Sequence, residues 1–283
     1  MAEPSIDRQV QTFYADLPFN YCDTDEEAAR LVRDNPLTAY PDLVRLLAGG
    51  TVERLVEFAC GTGWCCNAAA ACYGVPALGI DFTAKAIDRA RAVADRLGLA
   101  GKVRFEEGDL LAALPPPAPL VVCIGALHHL PAARAGFLHI ARAGAPGGHL
   151  FVGLYHRPGR RVFLDLLRGV ADREGERAAL RRFAAMLGRD MEDRLTLSWF
   201  RDQVLHPHET QHTLAETLDW LDQAGMRLVS TSINRFAPID GSPAALAERE
   251  WEYETLSRRA NIDENRFFPG FFTILAHRPE AAG

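Results

Sequence analysis

The sequence predicts an α/β fold, a doubly wound sheet of seven strands, on three observations. Short apolar runs alternate with segments of helical period from about residue 52 to residue 155. Glycines and acids stand where those runs stop. Two more apolar runs follow far downstream, with a long loop between them, and read as an antiparallel pair at one sheet edge.

Residues 54–59 (RLVEFA) form the first strand, ending at Gly61-Thr62-Gly63, and residues 64–71 read as a helix. Residues 76–80 are a second strand, stopped by Asp81. The helix expected over 83–97 sets Ala86, Ile87, Ala90, Val93, Ala94 and Leu97 on one face and ends at Gly98, a residue that tolerates positive φ. Residues 103–106 and 120–124 are the third and fourth strands, separated by Pro115-Pro116-Pro117. A helix is expected over 131–142, a turn at Pro146-Gly147-Gly148 and a fifth strand over 149–155. Such alternation makes βαβ units with short right-handed connections.

Residues 156–211 carry no strand pattern and read as two or three helices. Thr213-Leu214-Ala215-Glu216 is a capping box opening a helix that runs to Ala224 and stops at Gly225. Residues 226–233 and 271–277 are the last two strands, around an insertion at 234–270. The chain thus divides into an N-terminal segment (1–50), a core (51–155), a helical insert (156–212) and a C-terminal part of the sheet (213–283).

Composition fits a soluble globular protein: 283 residues, 48% hydrophobic, 24% charged, net charge −6. The net acidity argues against a nucleic-acid partner, which needs a basic surface. The apolar run at 120–127 falls far short of the ~18 residues of a membrane span. The opening MAEPSIDRQV has no basic and apolar leader pattern, so a cytoplasmic protein, free of membrane and open to homodimer formation, is expected. Six cysteines with no recurring C-x-x-C spacing read as small buried thiols of a reducing compartment.

The run Glu57-Phe58-Ala59-Cys60-Gly61-Thr62-Gly63 turns the first strand into the first helix. Small residues at 59, 61 and 63 let a ligand approach the backbone, and the helix start offers free N–H groups. A dinucleotide fingerprint would need a third glycine where Cys66 stands. Asp81 ends the second strand, placed to accept hydrogen bonds from ribose hydroxyls, and Asp109 follows the third, placed to meet a base edge. A nicotinamide dehydrogenase would share turn and acid. The Tyr-x-x-x-Lys of short-chain reductases is absent, because Asp81 and Gly98 stand four residues before the two lysines, Lys85 and Lys102.

In succession VEFACGTG, GIDFTAKAIDRAR, EEGDLL and LVVCIGALHHLP resemble the motifs of class I S-adenosylmethionine-dependent methyltransferases, notably the branch acting on small molecules. The resemblance implies a Rossmann-like, seven-stranded sheet whose last strand is antiparallel, and S-adenosyl-L-methionine as cofactor. It implies that Glu57 and the Gly61–Gly63 turn hold the methionine part, Asp81 the ribose, and Asp109 with Leu110 the adenine. Ala59, Phe82 and Gly125 complete the expected cofactor set.

The fourth strand ends at Gly125-Ala126-Leu127-His128-His129-Leu130, beside the expected methyl group. His128 or His129 there is either a general base or a structural cap on the next helix. The stretch from His206 to His212 holds His206, His208, Glu209 and His212. Pro207 and the following helix cap deny them one shared helical face, so no metal site is expected. His208 is a candidate for proton transfer and His206 and His212 for lining the acceptor, with Asp202 and Gln203 joining the same polar cluster. Tyr14 and Tyr21 are candidate lid residues touching the acceptor, or aromatics packing the segment onto the core. Residues 156–202 hold eleven Arg against eight acids, a balance that could attract a carboxylate or phosphate or be a solvated face. The function expected is methyl transfer to an O, N or C atom of a small molecule, possible in biosynthetic metabolism. The alternatives are a non-catalytic S-adenosylmethionine-binding module and a methyltransferase acting on protein or RNA.

Overall fold

The computed structural model describes residues 6–239 and 241–280. The first five residues of the stretch read above for a leader pattern lie outside them, as does Asp240 of the insertion. Three helices open the chain, α1 (Ile6–Asp16), α2 (Asp25–Asp34) and α3 (Pro41–Ala48). The sheet is then built from β1 (Leu55–Phe58), β2 (Ala77–Asp81), β3 (Val103–Glu107), β4 (Ala118–Ile124), β5 (Gly144–Tyr155), β6 (Arg227–Thr231) and β7 (Phe271–His277). Its order is β3-β2-β1-β4-β5-β7-β6, with β7 antiparallel to both neighbours and the pairs from β3 to β5 parallel.

Helices α4 (Trp64–Tyr73), α5 (Ala84–Arg96), α6 (Ala133–Ala141) and α10 (Leu214–Gln223) cover the sheet. On one face α2 to α5 pack Val32, Leu43, Cys66 and Ile87 against Leu55, Leu120 and Phe151. On the other, α6 and α10 pack Phe137, Ile140 and Trp220 against Val56, Val121 and Leu150. With both faces covered, strands such as β1 are buried at every residue, which is why they read as continuous apolar runs. The capping box at Thr213 and Glu216 is formed in both directions.

Helices α7 (Arg157–Glu174), α8 (Glu176–Leu187) and α9 (Arg194–Val204) make the insert, closed around its own core of Phe163, Leu167, Phe183 and Phe200. The insertion at 234–270 also carries helices, α11 (Pro243–Glu248), α12 (Glu252–Arg258) and a π-helical turn over Arg259–Asp263, with α12 packed on α7. Its short, mixed segments lack the sustained period that made other helices readable.

The turn expected at Pro146-Gly147-Gly148 is instead an irregularity inside β5. Ala118 pairs with Gly144 while Leu120 pairs with His149, so the intervening residues bulge outward, Gly147 at φ +71°. All six cysteines are free thiols, and Cys72 is exposed where burial was expected. No helix among the described residues is long and apolar enough to cross a membrane.

Candidate active site

Strand order reverses between β2-β1 and β4-β5, and the carboxyl ends of these strands open into a cavity of about 710 Å³. One side of it is the turn after β1. Ala59 and Gly61 lie at φ +54° and +53°, and Gly63 caps α4 at φ +76°. A Cβ on Gly61 would meet nothing within 4 Å, whereas one on Gly63 would fall 2.7 Å from Ala90 and from Phe105. Gly61 therefore leaves the crevice open. Gly63, expected to touch cofactor, is off the cavity wall and serves helix packing instead.

Three acids reach this crevice. Asp81 ends β2 and accepts the Gly61 N–H at 2.8 Å and the Thr83 N–H at 2.9 Å, which ties the turn to the neighbouring strand. The Thr83 side chain donates to it as well, and since a carboxylate has about four lone-pair sites, about one remains for a ligand hydroxyl. Burial pushes the Asp81 pKa up, and those two N–H bonds pull against it. Glu57 accepts the Cys66 N–H at 3.2 Å and its thiol at 3.0 Å. Buried with no cation beside it, Glu57 is pushed up to about 8. Asp109 accepts the Leu111 N–H at 2.8 Å. Ala59, Phe82, Leu110 and Gly125 line the same cavity.

The other side of the cavity is polar at one point and aromatic around it. His129 Nδ1 lies 2.9 Å from the His208 carbonyl, so Nδ1 donates and Nε2 keeps its lone pair. That Nε2 has no hydrogen-bond partner, and Asp202 Oδ1 is 3.9 Å away. Burial pushes His129 down to about 4, so the ring is neutral at pH 7. Asp202 accepts the Tyr14 hydroxyl at 2.5 Å, the Tyr155 hydroxyl at 3.2 Å and Gln203 Nε2 at 2.9 Å. Its pKa is raised, by burial first.

Behind Tyr155 lies Arg160, fully buried, its guanidinium 3.6 Å from the ring centroid. Arg160 grips Glu209 through Nε at 3.2 Å and Nη2 at 2.8 Å, and also donates to Gln203 Oε1 and to the Gln203 carbonyl. Such a buried pair holds its segment in place, since removing either partner leaves a bare charge. Tyr155 and Arg160 were not singled out from the sequence. Tyr155 merely ends an apolar strand, and Arg160 is one of many arginines in its insert; neither has a local signal.

The other candidate histidines, His128, His206, His208 and His212, lie off the cavity wall. His128 is fully buried, stacks on Tyr155 at 3.6 Å and accepts the Tyr155 N–H, so it is packed behind the wall. His206 stacks on His129 at 3.6 Å and accepts the His208 N–H. His208 holds His129 through its carbonyl, and its ring reaches the Leu130 carbonyl at 3.3 Å. His212 bonds Thr210 and packs on Trp220. The pair of neighbouring strand-end histidines thus splits: one faces the cavity, one faces the core.

Tyr14 reaches the cavity, whereas Tyr21 lies off it, under Lys85 and Arg89 at 5.1 and 4.4 Å. Between them, Asn20 accepts Trp199 Nε1–H at 2.6 Å and, through its carbonyl, the Thr62 hydroxyl at 3.4 Å. One residue of the N-terminal segment therefore joins the β1 turn to the helical insert.

Comparison with known proteins bears on this crevice. Residues 55–148 match the family model described as a methyltransferase domain. An uncharacterized protein of Synechococcus is 26% identical over 230 residues, 72% of this chain, and the chain spans about half of that curated relative, 54% of its length. Magnesium protoporphyrin IX methyltransferase from Synechocystis with bound S-adenosylmethionine is similar in fold, with a TM-score of 0.57, 15% identity, and 98% of this chain and 99% of that one covered. PKMT2 from Rickettsia typhi with bound S-adenosylhomocysteine gives a TM-score of 0.54 at 13% identity, covering 86% of this chain and 53% of its own. An S-adenosylmethionine-dependent methyltransferase from Mesorhizobium loti gives 0.50 at 23%, covering 86% and 99%. Gly61 with open space beside it, the buried Glu57 with no cation beside it, and the two acids at successive strand ends share one side of this crevice. Over residues 55–148 the chain matches the methyltransferase-domain model, and its seven-stranded fold is similar to that of the methyltransferases solved with S-adenosylmethionine or S-adenosylhomocysteine bound.

Proposed function

We propose that this protein transfers the methyl group of S-adenosylmethionine to a small molecule bound beside His129. One observation carries the reading: the cofactor crevice and the His129–Asp202 wall belong to one cavity of about 710 Å³. That volume lies within the ~300–1,000 Å³ of small-molecule sites. A cleft that extends past the cofactor crevice to a buried, unpartnered imidazole speaks for catalysis over passive cofactor binding. Its depth suits a small acceptor better than a side chain of a folded protein or an RNA.

Glu57 would hold the ammonium end of the cofactor, Asp81 the ribose hydroxyls, and Asp109 with Leu110 the base. Bound there, the cofactor supplies an electrophilic methyl carbon, and the S–C bond pair stays with sulfur as the acceptor's lone pair makes the new bond. The chain's own work is alignment and exclusion of water, together with removal of one proton. His129 Nε2 takes that proton, and the resulting imidazolium faces the Asp202 carboxylate. Tyr14 and Tyr155 hold Asp202 in place through their hydroxyls. The helical insert (156–212) and the insertion at 234–270 shape the acceptor's half of the chamber, and the N-terminal segment, through Asn20, closes it.

Calorimetric titration with S-adenosylhomocysteine tests the cofactor half, and mass spectrometry of methylated acceptors tests the transfer. Asp81→Ala should weaken cofactor binding by roughly tenfold or more, as loss of charge-assisted hydrogen bonds does. Wild-type affinity in that variant would overturn the assignment.

A further inference from the structure

Resting on that reading, we infer that the acceptor is an uncharged aromatic hydroxyl compound, and that carboxylate- and phosphate-bearing molecules are excluded. Among the described residues lining the cavity there is no Lys or Arg, whereas Glu57, Asp81, Asp109 and Asp202 all reach it. None of the insert's arginines, whose excess could have drawn an anion, lines the cavity, and several are held in ion pairs. Arg160 is locked on Glu209, Arg177 on Glu192, Arg189 on Asp193, Arg194 on Asp23 and Arg201 on Asp16. His129, neutral at pH 7, supplies no positive charge either. An anionic acceptor would lose its hydration and meet a buried carboxylate instead of a partner.

The body of the acceptor is read from the walls. Phe19 stacks on Trp199 with centroids 5.7 Å apart, Trp199 lies 6.1 Å from Phe267, and Phe271 meets Tyr155 edge-on at 6.2 Å. All of these line the cavity. Two aromatic surfaces facing a common space fit a flat ring, which can offer faces and edges to both.

The nucleophile is read from the number of acceptors. His129 Nε2 has one free lone pair. Asp202 has already taken three hydrogen bonds, from Tyr14, Tyr155 and Gln203, which leaves about one of the four sites of a carboxylate. With Nε2 itself buried, the wall can satisfy about one donor from the cavity side. A hydroxyl brings one hydrogen and matches it. A primary ammonium brings three, most of which would stay without a partner, and it has no lone pair for the methyl until it sheds a proton.

The experiment uses the full protein loaded with S-adenosylhomocysteine and three compounds of equal size, 2-naphthol, 2-naphthoate and 2-naphthylmethylamine, titrated by calorimetry. Methyl transfer to each is followed in parallel with S-adenosylmethionine. The naphthol should bind at least about tenfold more tightly than the naphthoate, and the amine should fall behind the naphthol. Asp202→Asn, which keeps the shape and removes the charge, should shrink the discrimination against naphthoate several-fold. Naphthoate or amine binding as well as naphthol would overturn this inference while leaving the methyltransferase reading intact. Failure of S-adenosylhomocysteine to bind at all would instead overturn that reading and this inference with it.

Discussion

Asp202 Oδ1 lies 3.9 Å from His129 Nε2, although one residue follows a sheet strand and the other sits on α9 of the helical insert. The imidazole is already oriented from behind by the His208 carbonyl, so its unpartnered Nε2 is held, buried, just behind the cavity wall that Asp202 also lines. A proton arriving on Nε2 stands 3.9 Å from a carboxylate oxygen, although burial still holds the ring down to about 4. His129→Gln should lower the methyl-transfer rate about 10²- to 10⁴-fold, the usual worth of a positioned base. Asp202→Asn should cost about 10- to 100-fold, because it removes only the charge that supports the imidazolium. Both variants should bind S-adenosylhomocysteine like wild type by calorimetry; a large loss of cofactor affinity would move these residues to a different role.

Cofactor binding should depend on pH through Glu57. Burial holds its pKa at about 8, so near neutrality the empty site carries a protonated carboxyl. Pairing with an ammonium group requires the ionised form, so binding expels a proton below pH 8. Affinity should rise between pH 6 and 8 by up to about tenfold per unit and level off above. Calorimetry in buffers of different ionisation enthalpy reads the proton release directly. Glu57→Gln should flatten the profile.

Acid should destabilise the fold through two stacked histidines. Burial holds His129 at about 4 and His206 at about 3, both below the ~6.5 of an unfolded chain. Stability from these groups is complete above pH 6.5 and is lost as pH falls towards those values, because the unfolded chain takes up protons first. Each contributes on the order of 3 kcal/mol across that window, and the pair less than the sum because the rings stack at 3.6 Å. Urea midpoints at pH 7 and pH 4.5 measure the loss, and His206→Gln should shrink it.

The fold and the cofactor crevice were legible because their determinants are local. Glu57, Asp81 and Asp109 stand at or just beyond the ends of consecutive strands, and parallel strands buried on both faces announce themselves as apolar runs. The opposite wall of the cavity was legible only in part. His129 and Tyr14 were in the expected set, yet nothing in LHHL distinguishes the histidine that faces the cavity from its neighbour that packs under Tyr155. That choice is made by the insert, whose His208 carbonyl fixes one ring. Tyr155 and Asp202 meet across 47 positions, and Tyr14 and Asp202 across 188. No spacing rule spans such distances. The Pro146-Gly147-Gly148 stretch went astray for a related reason, since turn residues also serve a bulge when the chain stays paired on either side.

The two ends of α4 separate backbone strain from packing in one helix. Gly63 and Gly74 both cap it in the left-handed region, at φ +76° and +72°. Alanine at either position carries the left-handed penalty of about 1–2 kcal/mol. At Gly74 the new Cβ would meet nothing within 4 Å, so that penalty is the whole effect. At Gly63 the Cβ would press on Ala90 and Phe105 at 2.7 Å, which adds about 1–3 kcal/mol of overpacking. Gly63→Ala should therefore lower the urea-unfolding free energy by about 2–5 kcal/mol and Gly74→Ala by about 1–2 kcal/mol. The relief available at Gly63 is a shift of the α4 start away from α5, and that start carries the Cys66 N–H bonded to Glu57. Gly63→Ala should thus also weaken S-adenosylhomocysteine binding, while Gly74→Ala, at the far end of the helix, leaves it unchanged. Equal stability losses in the two variants would mean that Phe105 yields freely and that the turn is not packed as tightly as its glycine implies.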